Sequence, residues 1–480
     1  MRNGKSFCFF LFTKRRFLLP VLLAIPAAYA GMHLVGALGV IPYAGLAGIL
    51  AMAWSTARAQ LLGQTAVAAA AIGAGNALLL PIGVPLALGR PELVGPMLLG
   101  AGLALLVDAA LAARLFGSKA MPTDAAWPQG RAGAAAIRVT DGGWPLAFGV
   151  LLGAAGAVYR APMMAVGLAF LASPWPLMAF AAGLLLRGHG DWLPMGWLPG
   201  GDLMRGQVPQ GLMLGAGLAA VVQMRAVWRV LAGGLAAHLA IAAVLAVAGG
   251  LVAGMPAGML ALFVVYAAAA ALLHGVVGGM AALHGGWFPG LALALMAVTG
   301  GLLLGFPPAA LALLAGFTAA TGPGYVALGH GMASARAAGL PMRGVVGAGV
   351  AGFAVAGLVV WWGHGALFAA GGMPPMGHVY AIAIRAGAPP GAGMALLQWA
   401  AVGAAIQVLG GARRQLGVML AAGLLLYHPA AGWAVLVGLG LRWGPLRRMQ
   451  PENMRAFGAG MVAGDMLGAA PEAVHKAWRG

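Results

Sequence analysis

Between Leu311 and Arg343 the sequence reads LALLAGFTAATGPGYVALGHGMASARAAGLPMR, a membrane-grade apolar segment interrupted before it is long enough to cross. A continuous helix needs about 20 apolar residues to span roughly 30 Å of hydrocarbon, and here Gly322, Pro323 and Gly324 intervene after about a dozen. Pro323 lacks a backbone donor and disfavours helix at the residue before it, while the flanking glycines weaken the helix further. The N–H and C=O groups freed there cannot face lipid. The break is therefore expected to be buried in protein or to line a watery cavity. Secondary transporters tend to build their sites at such breaks, and a simple packing kink is the alternative.

The rest of the chain has the same character. It is 62% hydrophobic and 8% charged, where soluble domains carry about 25% charged residues. That excludes a soluble globular fold and predicts an all-α polytopic integral membrane protein. Twenty-seven Lys and Arg stand against nine acidic residues. Because the positives fall in short clusters between apolar segments, membrane topology accounts for them and a nucleic-acid partner does not. Cys8, the only cysteine, allows no intrachain disulfide and no cysteine metal cluster. The 26 methionines, scattered among Ala, Leu and Gly, read as packing fillers.

Lys14, Arg15 and Arg16 precede the apolar run Phe17 to Ile25, and Ala28-Tyr29-Ala30 resembles a signal-peptidase site. Since apolar segments continue to the C-terminus, the run is expected to be an uncleaved first span with residues 1–16 as a cytoplasmic tail. Blocks near 41–56, 64–88 and 93–115 bring the chain back to the connection from Arg114 to Gly143. That connection is expected to be cytoplasmic, given Arg114, Lys119, Arg131 and Arg138. Blocks near 144–157, 159–171 and 174–186 place Arg187–Gln210 outside, with Trp192 and Trp197 in an interfacial belt. A span near 209–224 closes a first transmembrane half, residues 17–230. The second half, 231–470, holds further blocks, including the broken 309–329, and residues 471–480 form a C-terminal tail. The expectation is about 14–16 transmembrane helices in two repeated halves. Leu78–Leu88, LLLPIGVPLAL, and the His428-Pro429 interruption read as further discontinuous segments, and paired breaks of this kind point to a site at a repeat interface.

Polar groups at membrane depth are few, and an ionisable one is a functional candidate by default. They include Gln64, Asn76, Asp108, His238, His274, His284, Tyr325, His330, His364, His378, Gln398, Gln407, His428 and Asp465. Tyr325, His330 and His428 sit in or beside broken backbone, where carbonyls, N–H groups and an imidazole can converge on a substrate. For the histidines the competing reading is a hydrogen-bonded structural role. Asp465 reads as a coupling carboxylate or as a helix cap or partner of Arg455, and Asp108 as a helix-end partner of Arg114. The cluster Met373-Pro374-Pro375-Met376-Gly377-His378 reads as a stiff loop in preference to a soft-metal site. No metal site or cofactor is expected. No P-loop, zinc-protease helix or Ser-His-Asp pattern is legible, so an enzyme is not expected.

Several stretches carry a resemblance in order along the chain. Gln64-Thr65 leads into VAAAAIGAGNALLLP, Trp127-Pro128-Gln129-Gly130-Arg131-Ala132 follows, then Gly322 to Arg343 with Pro341 and Arg343, then GLLLYHPAAGWAVLVGLGLRW, and finally MVAGDMLG around Asp465. Together they resemble the oligopeptide transporter superfamily, in particular its bacterial and yellow-stripe-like members. The chain departs from the family where acids are usual: Ala59, Gln60, Leu61 and Gln129 replace charged or amide positions, and GPGYVALGHG lacks the signature's acids and lysine.

The resemblance implies an inner-membrane secondary transporter of oligopeptides or metal chelates, a proton-coupled symporter working by alternating access. A repurposed, non-transporting accessory subunit is the alternative that the lost charges favour. The substrate-binding candidates are Gln64, Gly322, Gly324, Tyr325, His330, Tyr427 and His428, and the coupling candidates are His330, His428 and Asp465. The expected partners are the peptide or chelate, the coupling proton, the lipid bilayer and a second copy in a homodimer.

Overall fold

The computed structural model describes residues 23–32, 56–138, 143–189, 203–204, 206–251, 254–286, 288–369, 375–426 and 428–479. Among these the chain is helical throughout, apart from an isolated bridge between Phe116 and Met121. In chain order the helices are α1 (Leu23–Met32), α2 (Ala57–Ala87), α3 (Pro91–Leu115), α4 (Pro128–Arg138), α5 (Trp144–Val158), α6 (Met163–Leu171) and α7 (Pro174–Gly188). They continue as α8 (Val208–Gln223), α9 (Arg225–Gly250), α10 (Ala257–Gly285), α11 (Gly290–Leu303), α12 (Pro308–Ala320) and α13 (Pro323–Ala338). The last are α14 (Val345–Ala369), α15 (Pro375–Ala386), α16 (Ala392–Gly410), α17 (Leu416–Leu425), α18 (Pro429–Trp443) and α19 (Pro451–Arg479). Prolines open many of them. A proline at the first helical position loses no hydrogen bond and brings a preset φ.

Seven segments among the described residues are long and apolar enough to cross a membrane: α2, α3, α9, α10, the pair α12–α13 taken together, α14 and α16. Shorter apolar helices accompany them, and the whole is an all-α polytopic membrane fold with a discontinuous span at its centre. Outward-facing Leu151, Trp361, Trp362 and Leu409 are each more than half exposed, as suits side chains turned to lipid. The reading of Trp192 and Trp197 falls outside the described residues.

Close packing rests on small residues, which let helix backbones approach. Along the α5–α19 seam a Cβ on Gly149 would lie 2.3 Å from the Phe457 carbonyl oxygen, and one on Gly464 would lie 2.0 Å from that of Val150. The α8–α16 pair uses the same device, with Gly215 against Ala400 and Gly403 against Leu212.

One expectation needs correction here. Leu78–Leu88 is not a break: α2 runs unbroken from Ala57 to Ala87. A π-helical stretch over Gly73–Leu79 widens the turn just ahead of Pro81, and Leu80 bonds back to Gly75. That widening relieves the clash a proline ring otherwise makes with the preceding turn. The connection from Arg114 to Gly143 folds in part into α4 and seats Trp127 at 2% exposure.

Candidate functional site

The break expected in the 311–343 stretch lies between α12 and α13, whose combined span is buried along its full apolar window. Helix α12 stops at Ala320, Thr321 is extended, and Gly322 takes φ +98° before Pro323 starts α13. Only glycine adopts that φ without strain. Space demands glycine too, since a Cβ on Gly322 would lie 2.2 Å from Cζ of Phe288.

The start of α13 is met by a carboxylate from another helix. The Gly322 N–H donates to Asp108 Oδ2 at 2.7 Å, and the N–H groups of Gly324 and Tyr325 face the same carboxylate from the first turn. A half-helix N-terminus carries unpaired N–H groups and a partial positive charge, so an acidic side chain there satisfies both. Asp108, on α3, is 1% exposed and is the one acidic side chain fully buried among the described residues. It is not the partner of Arg114, which is exposed.

Around this carboxylate the polar groups are sparse. On α10, His274 Nε2 lies 3.1 Å from the Gly290 carbonyl and must donate to it, which leaves Nδ1 to accept from Thr321 Oγ1 at 3.3 Å. The Ala271 carbonyl, 3.0 Å from Thr321 Oγ1, is an alternative acceptor for that hydroxyl's one proton, and with either partner the end of α12 is tied to α10. The Tyr325 hydroxyl is buried with no hydrogen-bond partner among the described residues. Its ring presses on Gly279, where a Cβ would lie 2.1 Å from Cε1.

One and a half turns further along α13, His330 and Ser334 hold α4. His330 Nδ1 accepts from the Gly130 N–H at 3.1 Å, and Ser334 Oγ donates to the Gly130 carbonyl at 2.7 Å. With Nδ1 an acceptor, Nε2 carries the proton, and it too is buried without a partner among the described residues. Gln64 Nε2 reaches the Gly133 carbonyl at 3.4 Å, adding α2 to the same joint. Trp127 meets the His330 ring edge-on at 5.4 Å and donates its backbone N–H to Leu283 at the end of α10. Gly130 is obligatory in this packing, as a Cβ there would lie 2.7 Å from the His330 carbonyl oxygen.

The structure therefore gathers Gln64, Gly322, Gly324, Tyr325 and His330 along one path from α2 across α13, with Asp108 and His274 added. It does not bring the second break to them. Helix α13 packs on α2, α3, α4, α10 and α14, whereas α17 and α18 pack mainly on α6, α7, α8 and α16. The expectation that the two breaks meet is corrected by this topology. His428 is exposed and caps its own helix, its Nδ1 accepting from the Ala431 N–H at 3.2 Å. Asp465 accepts from the Met164 N–H at 3.0 Å and so caps α6. Tyr427 lies outside the described residues, as do Met373 and Pro374.

Chemically, a buried carboxylate on a half-helix N-terminus, with Tyr325 on the same turn, is able to exchange a proton. Among the described residues no three His, Cys, Asp or Glu side chains gather as a metal site would require. In comparisons with protein-family models and with curated protein sequences, the chain matches none.

Proposed function

We propose that this chain is a secondary active transporter of oligopeptides or metal chelates, coupled to protons and working by alternating access in the bacterial inner membrane with a cytoplasmic N-terminus. The observation that carries this reading is the buried break between α12 and α13 with Asp108 on the half-helix N-terminus. Irregular backbone at membrane depth is tolerated where it is buried in protein or lines a cavity, and discontinuous helices are where such transporters bind substrate and ions. The ordered motif resemblance to the oligopeptide transporters supplies the substrate class. In this reading Tyr325, Gln64 and the backbone at Gly322 and Gly324 face substrate, while Asp108 joins His330, His428 and Asp465 as a coupling candidate.

The test is uptake of a labelled peptide mixture or an iron chelate by proteoliposomes under an imposed pH gradient. Wild type is expected to accumulate label only with the gradient. Asp108→Asn, His330→Gln, His428→Gln and Asp465→Asn then report which group carries the proton. A wild type with no gradient-driven uptake of either class favours the second reading, an accessory membrane subunit without transport, which rests on the family's charged and amide positions that read here as Ala59, Gln60, Leu61 and Gln129.

A further inference from the structure

Away from the break, α4, the last turn of α13 and the first turns of α5 and α19 line an open cavity of about 540 Å³. A volume of this size accommodates a small ligand or a lipid headgroup. Among the described residues that line the cavity are three arginines, Arg131, Arg336 and Arg455, and one acidic residue, Glu452. Among the described residues neither Arg336 nor Arg455 forms an ion pair, while Arg131 donates one bond to the Ala125 carbonyl and keeps its remaining donors.

Like charges brought together repel, and a bound anion relieves that repulsion. The repulsion registers on Arg131, whose guanidinium is lowered from its ordinary value first by burial and then by the charge of Arg455, with Asp124 opposing. Backbone dipoles act in the same sense. Gly143 and Pro145 at the start of α5, and Glu452 and Asn453 at the start of α19, all line the cavity, so two helix N-termini lie at its wall. Several arginines forked around one space fit the oxygens of a phosphate group better than a single carboxylate, since each guanidinium offers parallel N–H donors.

We propose that this cavity is an anion site that takes a phosphate group, borne either by a phospholipid headgroup or by a small phosphorylated solute. Because the walls come from α4 and α13, occupancy bears on the same joint that holds His330 and Ser334 to Gly130.

The experiment uses the full chain purified in a neutral detergent. Isothermal titration with inorganic phosphate, with pyrophosphate and with dioctanoyl phosphatidylglycerol separates the two sources, dioctanoyl phosphatidylcholine being the zwitterionic control. Binding of at least one anion, weakened tenfold or more in Arg336→Gln/Arg455→Gln and weakened by added salt, is expected. Phosphatidylglycerol binding alone assigns a lipid headgroup, and phosphate or pyrophosphate binding alone assigns a solute. Should the double variant fold poorly, Glu452→Gln provides the opposite change, and removal of its carboxylate is expected to tighten binding severalfold. Absence of binding by all three anions, or binding indifferent to these substitutions, overturns the proposal.

Discussion

Replacing Asp108 tests whether the broken span depends on a carboxylate from α3. In the folded protein the Gly322 N–H has Asp108 Oδ2 as its acceptor at 2.7 Å, in a site with 1% exposure. Asp108→Ala removes that acceptor and leaves a buried N–H unpaired, which costs about 1–3 kcal/mol. Loss of a helix cap, where measured, falls in a similar range of about 0.5–2 kcal/mol. The two figures describe one interaction and do not add, and relief of the buried charge offsets part of the loss. A net destabilisation toward the lower end of that range, about 1–2 kcal/mol, follows for Ala. Asp108→Asn keeps one oxygen acceptor for the Gly322 N–H but puts an amide donor in place of the second oxygen and removes the charge, so it should cost less than Ala, about 1 kcal/mol. The assay is unfolding by SDS in mixed micelles, followed by helical circular dichroism, with all three proteins compared at one pH. Alanine and asparagine variants that unfold at the same SDS fraction as wild type would refute the cap.

Gly322→Ala combines a φ of +98° with a contact of 2.2 Å to Phe288, so it should reduce folded yield sharply, whereas Gly347→Ala, with open space around it on α14, should raise stability by up to about 1 kcal/mol; detergent thermal shift compares them. Gly464→Leu places a side chain where even a Cβ would lie 2.0 Å from the Val150 carbonyl oxygen, and should part α19 from α5, read as new protease sensitivity within Pro451–Arg479. For topology, a single cysteine at the exposed Lys119 in a Cys8→Ser background should resist an impermeant thiol reagent in intact spheroplasts and react after lysis. Labelling before lysis would reverse the assignment of that connection to the cytoplasm.

What was legible in the sequence is what local chemistry decides. The break at Gly322 followed from a proline and two glycines acting on their own backbone, and it lies where they stand. Leu78–Leu88 misled because proline alone does not end a helix: the π-stretch that absorbs Pro81 is held where Gly73 packs against Phe353 and Ala356 of α14, a neighbour that sequence does not announce. The joints that make the site are remote in chain position, Gly130 with His330 and Asp108 with Gly322, and no periodicity links them. Asp108 was nevertheless open to stricter reasoning. Arg114 follows it by six residues, which on a helix turns the two side chains roughly 120° apart, and only positions three or four apart are neighbours. An acid inside an apolar helix with no partner on its own helix must find donors on another element. The break in the 311–343 stretch frees N–H groups that need an acceptor and cannot turn to lipid for one. A buried acid without donors and a buried helix start without an acceptor answer each other's cost. That argument selects Asp108 over Asp465, whose position near a span's edge leaves it other ways to be satisfied.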